Sequence, residues 1–219
     1  MTTPTFVAGA SNYLVDSGTT INLSVPAAAE VGDFVIALWS RYSAGAFSSK
    51  PANFNLVSAA DADCRVYAAV MATEADIKSY SWVTGALGGG DYVFVTYAVY
   101  RGLKVASPFD AASVDAGYRI ANNFVCPDVT AAVSSINGLH ICMAHCQIPG
   151  TTGSPPSGMT ERYERTSGMF SYVMDGPVSA SGAQGTKTIT FATWPNYWGG
   201  GSIIVPPSPS SRRVQYIGI

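Results

Sequence analysis

Along most of this chain apolar and polar side chains alternate with a period of two, the signature of strands with one buried face. Residues 20–25 (TINLSV) alternate cleanly and stop at Pro26. Residues 34–40 (FVIALWS), 64–72 (CRVYAAVMA), 79–83 (SYSWV), 91–101 (DYVFVTYAVYR), 123–129, 139–146 (LHICMAHC), 159–165, 170–174, 186–192 and 202–205 follow as further strands. The connectors are GALGGG, PGTTGSPPSG, SASGAQG and WPNYWGGG, all rich in turn-forming residues. Both glycine triads, 88–90 and 199–201, read as turns. Residues 27–31, 73–77 and 129–133 allow at most single helical turns, and no segment carries a sustained helical period. The pattern predicts an all-β, jelly-roll-like sandwich of two antiparallel sheets with about 10–12 strands.

The chain also matches itself. At an offset of 105 residues, Phe34 falls on Leu139, Pro51 on Pro156, Phe54 on Met159 and Tyr67 on Tyr172. A further slip of six places Gly88–Gly90 on Gly199–Gly201 and Tyr92-Val93 on Ile203-Ile204. Two pseudo-equivalent halves, about 19–104 and 123–206, would then supply two packed sheets sharing one core in a single sandwich over 1–206. Residues 207–219 form an extended arm: a Pro/Ser spacer, then Arg212, Arg213, Val214, Tyr216, Ile217 and Ile219 in a β-prone tail. That tail either closes a sheet of its own subunit or adds a strand to a neighbour.

Composition narrows the class. Only 12% of residues are charged, and the formal charge is −2. A charge-rich helical repeat, a disordered chain and a basic nucleic-acid binder are all excluded as default readings. Residues 1–13 show neither the basic nor the apolar segment of a signal peptide, and no apolar run has the length of a membrane span. A protein made in a cytosol, binding neither membrane nor nucleic acid, is the expectation.

Candidate chemistry is sparse. His140, Cys142, His145 and Cys146 are the metal-like cluster, but on a strand His145 points away from the other three. Cys142 and Cys146 would lie about 13 Å apart, too far for one zinc or a disulfide. Cysteines packed as small hydrophobes are the reading, with no metal or cofactor. There is no Gly-x-Ser-x-Gly elbow and no phosphate loop. The carboxylate pairs are Asp61/Asp63, Glu74/Asp76 and Glu161/Glu164; Asp61 and Asp63 read as turn acids ahead of a strand, and Glu161 and Glu164 have opposite parity on a strand and should face opposite ways. No catalytic residue is assigned and the chain reads as a non-enzyme. Trp194, Tyr197 and Trp198 cluster in one connector and are the candidate ligand or partner loop, suited to stacking on a sugar or anchoring an interface.

Four segments together carry a resemblance. They are Pro26 with Gly32-Asp33-Phe34-Val35-Ile36-Ala37; Tyr80-Ser81-Trp82 with Tyr97-Ala98-Val99-Tyr100-Arg101-Gly102; Ser107-Pro108-Phe109-Asp110; and Gly182 with Gly185-Thr186-Lys187-Thr188-Ile189-Thr190. The pattern, spanning about residues 19–206, resembles β-sandwich virion proteins of tailed bacteriophages and prophages. The resemblance implies a structural protein on the virion exterior, a capsid decoration (cement) protein, with major capsid or tail subunits and its own copies as partners. The alternative it implies is a tail or fibre component that binds a host-surface carbohydrate or receptor.

Overall fold

The computed structural model describes residues 4–42, 47–59, 64–102, 109, 111–118, 123–193 and 197–207. The first half runs through β1 (Thr5–Val15), β2 (Thr20–Ser24), β3 (Phe34–Tyr42), β4 (Phe47–Ser49), β5 (Asn55–Ala59), β6 (Cys64–Val70), β7 (Ser79–Thr84) and β8 (Tyr92–Arg101). The second runs through β9 (Ala111–Tyr118), β10 (Asn123–Cys126), β11 (Thr130–Ala131), β12 (Leu139–Cys146), β13 (Gly153–Ser154), β14 (Thr160–Arg165), β15 (Phe170–Pro177), β16 (Gly182–Ala183), β17 (Lys187–Phe191) and β18 (Tyr197–Val205). Among the described residues the helical content is two 3₁₀ turns, Glu74–Asp76 and Val133–Ser135.

Strand pairing is nested, first with last. In the first half β1 pairs β8, β2 pairs β7 and β3 pairs β6, all antiparallel. In the second, β9 pairs β18, β10 pairs β17 and β12 pairs β15. This is jelly-roll winding, performed twice. Each half therefore makes a five-stranded sheet (β1-β8-β3-β6-β5; β9-β18-β12-β15-β14) and a three-stranded one (β2-β7-β4; β10-β17-β13). The all-β sandwich expected from the pattern is present, but with a finer division. The halves do not supply one sheet each to a single core; each is a complete sandwich, and the two stack through their large sheets. The repeat also starts earlier than residues 19 and 123, at β1 and β9.

Burial follows from this layering. The outer strand β2 alternates between exposed and buried residues, because only one face is covered. The central strand β8 is buried along almost its whole length. Val93, Val95, Tyr97 and Val99 fill the core of the first sandwich, while Ala98 and Tyr100 join Phe34, Ile36, Leu38, Ile141, Met143, Val173 and Ile203 between the halves. Phe124, Cys126, Cys142, Ala144, Phe170, Tyr172, Ile189 and Phe191 fill the second sandwich.

Register corrects the internal alignment. Phe34 lies opposite Tyr100, and Leu139 lies opposite Val205. The 105-residue offset that separates Ser40 from His145 thus also matches Tyr100 to Val205, with no slip. Gly199–Gly201 match Phe94–Thr96, not Gly88–Gly90, and they lie inside β18, not in a turn. The reason is crowding. A Cβ on Gly199 would sit 2.9 Å from the Ser40 Cβ, and one on Gly200 would collide with the Phe124 ring and lie 2.5 Å from the Met143 carbonyl oxygen.

The two halves are related by a pseudo-twofold axis. β1 of one packs on β14 of the other, and β5 packs on β9, a reciprocal pair of contacts. On the axis the equivalent residues Ser40 and His145 meet, Ser40 Oγ lying 2.6 Å from His145 Nδ1. Thr96 Oγ1 holds the other ring nitrogen at 2.5 Å, and the imidazole stacks on Phe94 at 5.2 Å. Away from the axis, Arg165 donates to the Ser11 carbonyl at 2.6 Å, and Ser11 Oγ lies 2.9 Å from Tyr163 OH.

Between the halves Asp175, 1% exposed, accepts from Arg162 Nε at 2.9 Å and from Tyr100 OH at 3.1 Å. Burial raises the carboxyl's pKa, against the Arg162 guanidinium and the Tyr100 hydroxyl. Removing Arg162 strands that carboxylate. Arg162→Ala should cost about 2–3 kcal/mol, below the full value for a buried pair because the guanidinium side is partly solvated. Urea denaturation measures this, and a loss under about 0.5 kcal/mol would show the pair to be dispensable.

Candidate functional site

Strand β12 presents two chemistries because successive side chains alternate faces. Leu139, Ile141 and Met143 point between the halves, whereas His140, Cys142, Ala144 and Cys146 belong to the face covered by β10, β17 and β13. As the sequence parity requires, His145 faces away from them, onto the pseudo-twofold axis. Burial pushes its pKa down to about 3, so it is neutral there. Among the described residues no three His, Cys, Asp or Glu side chains gather around a metal-sized centre.

At one end of the second sandwich the apolar filling gives out. A cavity of about 390 Å³ opens between the layers, lined by His140, Met159, Pro177, Gln184, Lys187 and the 179–181 segment. His140 is 2% exposed, and its Nδ1 has no hydrogen-bond partner. Its Nε2 lies 3.5 Å from Cys142 Sγ, which is also 3.5 Å from Ser202 Oγ. Cys126 closes this polar knot from β10. Burial, with Cys142 beside it, raises the Cys126 thiol's pKa. Burial also acts to raise Cys142, but contacts with Cys126, His140 and Ser202 outweigh it and hold that thiol below the ordinary range. Cys142 is fully buried, so the arrangement is suited to holding a hydrogen-bond network and not to attack on an outside substrate. At the rim Lys187 Nζ donates to the Gln184 carbonyl at 2.6 Å. The Gln184 amide in turn donates to the carbonyls of Ala180 and Gly182, at 3.0 and 2.8 Å.

The residues singled out from the sequence are dispersed. Arg212, Arg213, Val214, Tyr216, Ile217, Ile219 and Trp194 lie outside the described residues, as do Asp61 and Asp63. Tyr197 and Trp198 are not connector residues. They open β18, opposite Tyr118 and Gly117, because the glycines after them continue the ladder. Asp76 caps its 3₁₀ turn, accepting from the Thr73 hydroxyl at 2.9 Å and the Thr73 N–H at 2.8 Å, and those bonds lower its pKa. All four cysteines are buried thiols outside any disulfide.

Glu161 and Glu164 do not face opposite ways. β14 has a bulge between Glu161 and Tyr163, which resets the alternation. Both carboxylates flank the same phenol: Tyr172 OH donates to Glu161 at 3.1 Å, and Glu164 accepts from the Gly153 N–H at 2.6 Å. Burial first, then the two carboxylates, push the Tyr172 pKa up.

Sequence reasoning missed the cavity. Its signal was available in the repeat, where His140 and Lys187 occupy inward positions that hold Val35 and Trp82 in the first half. Comparisons with protein-family models, with curated proteins and with solved structures found no match.

Proposed function

We propose that this chain is a non-enzymatic structural protein on the exterior of a tailed-phage particle, a decoration or cement subunit that clamps neighbouring subunits by strand exchange. The observation that carries the reading is an open sheet edge. β10 pairs with β17 on one side only, and its other side has no strand among the described residues. It carries Val125, which is 40% exposed. An unpaired edge with an exposed apolar residue is a template for an added strand. The segment 214–219 (VQYIGI) has the composition of such a strand. β18, the strand that precedes it in the chain, has β12 on one side and β9 on the other. Low charge supports the same reading, since a surface of hydroxyls and small apolar groups suits close packing over electrostatic steering.

The test is truncation. Deleting residues 208–219 should leave the thermal unfolding transition in place and remove the protein from purified particles, quantified by gel densitometry against the major capsid band. Normal occupancy of the truncated protein would sink the clamp mechanism.

A further inference from the structure

The pseudo-twofold repeat provides an internal control for the cavity. Register pairs Ile21 with Trp82 in the first half and Cys126 with Lys187 in the second, each 105 residues on. Lys187 thus stands where the buried Trp82 stands, and by the same offset His140 matches Val35, Met159 matches Phe54 and Ser202 matches Tyr97. In the first half those positions are plugged. The Phe54 ring lies 5.3 Å from Tyr80, 5.1 Å from Trp82 and 5.5 Å from Tyr97. The jelly-roll geometry therefore closes this space when its core positions are aromatic. In the second half they are polar or smaller, and the space is open.

The replacements have a direction. Lys187 shares its strand face with Ile189 and Phe191, so its stem enters between the layers. It is the charged residue of the lining, which contains no carboxylate. His140 lines the same cavity, and its Nδ1 is buried without a partner, a cost to the unliganded fold. Ser157, Ser179 and Ser181 bring hydroxyls to the same wall. The volume is within the range of small-molecule sites. We infer that the open end of the second jelly roll is a binding site for the oxyanion of a small molecule, a carboxylate or a phosphate, held between Lys187 and His140. The inference is independent of the particle role proposed above.

The imidazole signals of the full-length protein report on it. Inorganic phosphate and acetate are titrated separately at ionic strength held constant with sodium chloride, and histidine ring resonances are followed by ¹H–¹⁵N NMR. A saturable shift of His140, with His145 stationary on the pseudo-twofold axis, is the expected result. The anion that saturates at lower concentration identifies which oxyanion the site prefers. Lys187→Gln, at a half-buried position, should retain the fold and weaken that binding about tenfold or more, the value of a charge-assisted hydrogen bond. The inference is overturned if neither anion moves His140, if sodium chloride alone reproduces the shift, or if Lys187→Gln binds as tightly as the unaltered protein.

Discussion

A Gly200→Val variant should fail to fold, while Gly89→Val should be close to silent. Both residues are the middle of a glycine triad, and in the sequence the triads look alike. Gly89 lies in a turn with nothing within 4 Å of where a Cβ would be, so a side chain there meets solvent. Gly200 is in the middle of β18, laddered on both sides. Its Cβ would collide with the Phe124 ring, itself fully buried, and with the Met143 carbonyl oxygen. Neither neighbour can give way, because Phe124 is packed in the second sandwich and Met143 belongs to the adjacent strand. A cost of about 4 kcal/mol or more is expected, at the upper end for overpacking, against about 0.5 kcal/mol or less at Gly89. Soluble yield and guanidinium denaturation measure both. Equal stability of the two variants would mean that Gly199–Gly201 do not occupy the ladder.

Acid stability provides the second large effect. Burial holds His145 neutral down to about pH 3, against an ordinary value of 6.5. Between those limits the unfolded chain carries the extra proton and the native one does not, so stability rises with pH. Equivalently, acidification from pH 6.5 removes about 1.4 kcal/mol per unit, or roughly 3 kcal/mol over two units. Asp175 acts in the opposite sense: its raised pKa lets the native state take up a proton before the unfolded state does. The contribution of His145 is therefore read from a variant. His145→Gln keeps an amide able to meet both Ser40 and Thr96, and should flatten the loss of stability between pH 6.5 and 4 by about 1.4 kcal/mol per unit. An unchanged slope would contradict the neutral, buried imidazole.

How far the sequence could be read depended on which interactions set each feature. Strands such as β8 and β12 were legible because burial on both faces makes them long and apolar. β1 was not: its run of small and polar residues is half-buried throughout, with no alternation to detect. The repeat was visible through Tyr67/Tyr172 and Pro51/Pro156, yet the glycines drew the alignment six residues out of register. A triad that allows a turn also allows close packing, and only the opposing Ser40 and Phe124 decide between them. Parity correctly separated His145 from His140 and Cys142, because β12 is regular. The same rule failed for Glu161 and Glu164 because a bulge, a tertiary feature, intervened. The cavity is invisible in either half alone, since its evidence is the difference between two matched sets of core positions.

The residues on the pseudo-twofold axis also dictate who can partner whom. A symmetric pair of identical units would bring a residue against its own copy there. In this chain the axis takes one large and one small member of a matched pair, His145 with Ser40. Two copies of the second half would set imidazole against imidazole, and two of the first would set one Ser40 hydroxyl against another. The halves have become lock and key to each other, so the chain is in effect a covalently tethered heterodimer whose parts can no longer be exchanged for one another.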